Sequence, residues 1–256
     1  MALPIGVGID SESPDGSTSR LEYVLEQVAK VGYDGVEIPL DGFNAIRDGR
    51  LYPEQVAQGR ALLARYPLRY TVHGPNELNL TRDVPRTSQI LASCLEAAAG
   101  LGAEVYVYHS GQIALHDAWI GLRPPPTEAE LRDMWARETE ALIPMARRAG
   151  ELGILLVVEN RDPHRWELAA LERWGVSSSA LIRYHAGMRL DLVAAQVAEI
   201  DSPHLGVCLD VGHAYLAAPY WPDPDYLDGV RAAAPWIRHV HLHDNYGRLD
   251  DVSTSL

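Results

Sequence analysis

Residues 154–162 read ILLVVENRD: an aliphatic run rich in β-branched residues that ends on Glu159. A short apolar run of this kind is a buried β-strand, and its terminal carboxylate is costly to bury unless a positive partner pairs with it. The same form recurs in both directions along the chain. Downstream lie GVCLDVGHAYL (206–216), with Asp210 and His213, and IRHVHLHDNYG (237–247), with His239, His241, His243 and Asp244. Upstream lie VYVYHSG (105–111), ending on His109, and TVHGPNELNL (71–80), carrying His73. Acid and imidazole groups at the ends of five hydrophobic runs point to one shared partner, and a divalent metal is the simplest.

Between these runs the sequence turns helical. Strands are expected at Ile5–Ile9, Gly35–Leu40, Arg69–His73, Glu104–His109, Ile154–Glu159, Leu205–Asp210 and Ile237–His243. Helices are expected near Ser19–Val31 (capped by Thr18 or Ser19), Pro53–Tyr66, Arg86–Leu101, Thr127–Leu152, Trp166–Trp174, Ser179–Ile200 and Tyr226–Ala234. Strict β–α alternation gives a parallel sheet with right-handed crossovers. Seven such units in 256 residues favour a single-domain (β/α)8 TIM barrel over an open doubly wound sheet. No GxGxxG opens the first helix, which removes the usual dinucleotide reading. The eighth strand is not evident in this chain. The natural polypeptide is therefore expected to continue past Leu256, with a strand that closes the barrel and adds a carboxylate, and Asp250–Leu256 is expected to be a loop over the site.

Composition narrows the function. The formal net charge is -13 and no Lys/Arg-rich run occurs. A general nucleic-acid backbone binder needs a basic surface, so no nucleic-acid partner is expected. Cys94 and Cys208 are the only cysteines, so no disulfide framework arises, and both read as buried thiols. Neither a signal peptide nor an apolar run long enough to span a membrane is present, so a soluble cytoplasmic protein is expected.

Alternate side chains of a strand share a face. On that parity His73, His109, Glu159, Asp210 and His241 point to one axis near strand C-termini, where barrel active sites lie. The plainer reading of any single histidine is a satisfied polar residue, and that of Asp210 is a helix N-cap beside a surface His213. His239, His241 and His243 cannot all reach one ion, because a strand rises ~3.3 Å per residue. Glu37, ending the second strand, is a candidate substrate contact. His116, His164, His185 and His204 read as surface residues. A mixed His/carboxylate set suits zinc or manganese better than calcium, with magnesium or cobalt also compatible.

The pieces GYDGVE, HGPNELNL, VYHSG, VVENR, CLDVGHA and HVHLHDN, in this order and spacing, resemble the xylose isomerase-like TIM barrels. That group holds sugar phosphate isomerases and epimerases and the endonuclease IV type of apurinic-site nucleases. The resemblance runs from strand 1 to the loop after strand 7. It implies that Glu159, Asp210 and His241 hold the principal metal and that His213 sits beside substrate or a further metal. His73 and His109 match positions that bind metal in the nuclease branch and also occur in sugar-acting members. The family's strand-8 Glu, and the loop with an Asp/His pair and a G-x-G stretch before it, have no counterpart here, which leaves a fourth ligand and a second base unassigned.

The resulting expectation is a metal-dependent isomerase or epimerase of a small sugar, sugar phosphate or polyol, compatible with a homo-oligomer. Proton transfer would run through a metal-stabilised enediolate. Glu159 and His213 are the catalytic candidates; Glu37, His73, His109, Arg161 and His243 are the substrate-binding candidates. The rivals are an endonuclease IV-like multi-metal phosphodiesterase, a metal-dependent dehydratase or lyase on the same fold, and a non-catalytic sugar-binding barrel.

Overall fold

Seven parallel strands alternate with helices in the computed structural model, which describes residues 4–9, 19–76, 78–110, 114–221, 226–243, 245 and 247. Thr18, Asp244 and Asp250–Leu256, all named above, lie outside the described residues. The strands are β1 (Gly6–Gly8), β2 (Gly35–Pro39), β3 (Arg69–His73), β4 (Val105–His109), β5 (Leu155–Glu159), β6 (Leu205–Asp210) and β7 (Ile237–His241). Neighbours in the sheet follow chain order from β1 to β7, and no eighth strand joins it among the described residues.

Two compact units divide the chain, and the division cuts through β4 and β5. In the first unit, residues 1–78, 85–108 and 144–156, the register runs Gly6↔Gly35, Gly35↔Arg69 and Thr71↔Val105. Leu25, Ile38, Leu63, Leu91, Leu95 and Leu101 form its fully buried core. Helices Val84–Leu101 and Glu128–Leu152 both end in the same way. Gly102 and Gly153 adopt positive φ (88° and 71°), and the following amides of Ala103 and Ile154 reach back to the carbonyls of Ala98 and Ala149. This glycine stop turns the chain directly into β4 and β5.

The second unit holds residues 79–84, 109–143 and 157–256. All six residues of β6 are buried, as expected of a parallel strand covered on both faces. A separate apolar cluster gathers Leu115, Leu171, Leu181, Tyr184, Met188 and Ala217, with Trp166 and Trp221 packed against it.

Three features differ from expectation. β7 stops at His241, so Leu242 and His243 leave the strand. The expected helix Ser179–Ile200 is broken into short turns, Ser178–Ala180, Leu181–Tyr184 and Ala186–Met188, before the helix Leu190–Ile200. The Gly187 carbonyl in that break accepts a hydrogen bond from the Arg161 amide at 2.9 Å, a tertiary contact that competes with helix continuation. A two-stranded antiparallel ribbon, Ile46–Arg47 with Arg50–Leu51, has no counterpart among the expected elements.

Candidate metal centre and active site

Glu159 is the hub of the second unit's strand ends. Its Oε1 lies 2.9 Å from His241 Nδ1 and its Oε2 lies 2.8 Å from His109 Nε2. Asp210 pairs in register with His241 across β6 and β7, and its Oδ2 stands 3.6 Å from His241 Nδ1. Period-two parity thus brings His109, Glu159, Asp210 and His241 to one place. Glu159 is 1% exposed and Asp210 3%.

Asp210 has two jobs. Its Oδ1 accepts from the His213 amide at 2.7 Å, capping the helix Val211–Ala217, and lies 3.0 Å from His243 Nε2. The N-cap reading of Asp210 therefore holds together with its place in the cluster. His213 is buried beneath it, not on the surface. Its Nδ1 sits 2.9 Å from the Asn160 carbonyl, an acceptor only, so Nδ1 carries a proton and donates it there, while Nε2 stands 3.8 Å from Asp162 Oδ1. Gly212 makes room for this arrangement: a Cβ there would come within 2.3 Å of the His243 ring.

Asn160 supports the cluster and is not singled out by the sequence. Its side chain accepts from the Asp210 amide at 2.8 Å and donates to the Asp210 carbonyl at 3.0 Å. It bolts the end of β5 to the end of β6. Only its place after Glu159 in VVENR hints at this. Asn245 escapes the sequence reading as well; its side-chain amide donates to the Gly212 carbonyl at 3.0 Å.

Electrostatics favour ionised carboxylates. Burial by itself would raise the Glu159 carboxyl, yet the imidazoles of His109 and His241 outweigh it and hold the group well below the usual range. Burial likewise opposes ionisation of Asp210, and hydrogen bonds from His241 and His243 again prevail. His241 is driven in the opposite sense: burial pushes its pKa down, but Glu159 and Asp210 push it up by more. The donor set fits a divalent cation. Two groups in this unit, Glu159/Cys208/His241 and Asp210/His213/His243, each place their ligand atoms within 4.8 Å of one another. Cys208 is the buried thiol that the sequence suggests, and it adds a sulfur to the first group.

The other candidates fall as follows. Glu37 and His73 belong to the first unit, where Thr71 Oγ1 donates to Glu37 Oε2 at 2.9 Å and His73 Nδ1 lies 2.8 Å from the Gly74 carbonyl. Arg161 is buried. His239 stacks edge-on to His241, with ring centroids 5.1 Å apart. His116 and His204 are exposed as expected. His164 and His185 correct the surface reading: His185 is fully buried and His164 is largely so. Their burial comes from tertiary packing around Glu167, which no local periodicity announces.

Comparison with known proteins gives a consistent result. A protein of Methanocaldococcus jannaschii, itself uncharacterised, is 26% identical over 243 residues, covering 93% of this chain and 69% of its own length. A probable endonuclease 4 of Symbiobacterium thermophilum is 28% identical over 202 residues, covering 75% of this chain; the match spans 62% of that protein's length. Among solved structures, a D-tagatose 3-epimerase-like protein superposes with a TM-score of 0.64 at 23% identity, over 96% of this chain and 78% of the other. Endonuclease IV from Thermus thermophilus superposes with a TM-score of 0.59 at 25% identity, over the same shares. No helix among the described residues is long and apolar enough to cross a membrane. The sequence profile of one family matches residues 25–253, and the chain belongs to that family, the xylose isomerase-like TIM barrels.

Proposed function

We propose that this protein is a metal-dependent isomerase or epimerase of a small sugar or sugar derivative, with Glu159, Asp210 and His241 as the principal metal ligands. The observation that carries the reading is the Glu159 carboxylate, fully buried yet kept ionised between His109 and His241. A divalent cation bound there would supply Lewis acidity to neighbouring carbonyl and hydroxyl oxygens. Glu159 takes the proton from the carbon beside the carbonyl, being ionised and held in place by two imidazoles. His213, oriented by the bond from its Nδ1 to the Asn160 carbonyl, contacts a substrate hydroxyl in this reading. His109 orients Glu159 and His243 orients Asp210, and Arg161 is the candidate for holding a substrate anion. Similar structures bear the names D-tagatose 3-epimerase-like protein and D-psicose 3-epimerase, which supports a ketose as substrate class.

The test is conversion of D-fructose, D-tagatose and D-psicose by purified protein supplied with manganese or zinc, followed by chromatography. A second ketose should appear, and a chelator should stop its formation. The endonuclease relatives favour a second reading, metal-dependent cleavage of a phosphodiester. Nicking of abasic-site DNA with no ketose converted would decide for that reading.

A further inference from the structure

A second imidazole–carboxylate cluster lies in the same unit and has no part in the reaction above. Pro163 leads into His164, whose extended backbone (φ -107°, ψ 146°) begins the helix Arg165–Arg173. Glu167, three residues on, turns back so that its Oε2 accepts from the His164 amide at 3.1 Å. The same oxygen stands 3.0 Å from His164 Nδ1 and 3.1 Å from His185 Nδ1. His185 arrives from the break between two short turns, and its ring stacks on that of His164 with centroids 5.9 Å apart and planes 18° from parallel.

We propose that His164, Glu167 and His185 form a second divalent-cation site, suited to zinc or a similar transition metal. Glu167 and His185 are both 0% exposed. A carboxylate so placed needs a positive partner. All the hydrogen bonds described for Glu167 fall on Oε2; its Oε1, like His185 Nε2, is buried with no hydrogen-bond partner. A divalent cation held among the three side chains would balance the carboxylate and let both imidazoles be neutral ligands.

The spacing suits this. The ligand atoms of the three residues lie within 4.8 Å of one another. Ligands ~2.0–2.1 Å from a tetrahedral zinc stand about 3.3 Å apart. The two N···O separations here, 3.0 and 3.1 Å, are a few tenths of an ångström shorter, so a small opening of the cluster admits an ion. Two nitrogens and one oxygen, with no thiolate, match zinc-type preference and leave a position for water. His164 is the partly exposed member and gives the ion a way in. Asp162 stands between this cluster and the first, its Oδ1 3.9 Å from His164 Nε2 and 3.8 Å from His213 Nε2. The second ion would clamp the start of the helix Arg165–Arg173 to the segment carrying His185.

The experiment is anomalous diffraction at the zinc edge from crystals of the full chain equilibrated with millimolar zinc, with zinc content measured by mass spectrometry. The proposal expects an anomalous peak ~2.0–2.2 Å from ligand atoms of His164, Glu167 and His185. It expects Glu167→Gln to lose that peak and one equivalent of zinc. His164→Ala, at the exposed edge and therefore safer for folding, should weaken zinc binding at the cluster at least tenfold. Absence of a peak at the cluster in wild-type crystals overturns the proposal, whatever the first site holds. Unchanged zinc content in both variants overturns it equally. Failure of the first site would show separately, as missing density beside Glu159.

Discussion

Glu159 is buried, and the imidazoles of His109 and His241 hold its carboxyl well below the usual range. Glu159→Gln keeps the shape and removes charge and basicity, so turnover at saturating metal should fall by about 10²- to 10⁴-fold. Circular dichroism should show an unchanged fold; undiminished turnover would place the base elsewhere. Gly212 offers a different probe. In Gly212→Ala the new Cβ meets the His243 ring and displaces it from Asp210. Chelator competition should then report metal affinity about tenfold weaker, and unchanged affinity would remove His243 from the site. The parity of strand residues makes Glu159, Asp210 and His241 legible in the sequence, because the strand period is short and local. Asn160, Glu167 and His185 are not legible. Their roles arise from partners 18 to 50 residues away, and nothing in their neighbours encodes those partners.

At the scale of elements, the tie between β5 and β6 is the Asn160 side chain. Asn160→Ala leaves a buried amide and carbonyl of Asp210 without their partner, at a cost of ~1–3 kcal/mol for each group. Urea unfolding should show stability reduced by about 2 kcal/mol or more, and a loss well under ~1 kcal/mol would mean that water replaces the bonds. The helix Val84–Leu101 carries Cys94 in the core, and burial pushes its thiol up to about 12. At pH 8 the thiol should remain protonated in the native protein. Cys94 should resist iodoacetamide until the chain is denatured, and rapid native labelling would contradict the burial. The strands and most helices are readable from apolar runs and glycine stops. The break at residues 185–189 is not, because the Arg161–Gly187 backbone bond wins over an otherwise helical stretch. The end of β7 at His241 is also hidden: the alternation IRHVHLH continues, but the chain departs to set His243 beside Asp210.

For the molecule as a whole, the net charge of -13 is the basis of an expectation about nucleic acid. Duplex DNA should show no measurable affinity at physiological salt, because phosphate contacts require clustered Lys and Arg. Fluorescence anisotropy with a labelled duplex checks this, and salt-sensitive binding lost in His109→Ala would favour the nuclease reading. The family is legible from the order of six short motifs, none decisive alone, and the profile match over residues 25–253 agrees with it. In the proposed reaction Glu159 moves a proton at a carbon beside a carbonyl. Its most direct test is solvent exchange: the metal-loaded protein is incubated in deuterium oxide with a panel of ketoses and followed by proton NMR. Deuterium should appear at the carbon adjacent to the carbonyl of at least one ketose, and should be lost on chelation and in Glu159→Gln. No exchange with any ketose, or exchange that persists in Glu159→Gln, would contradict it.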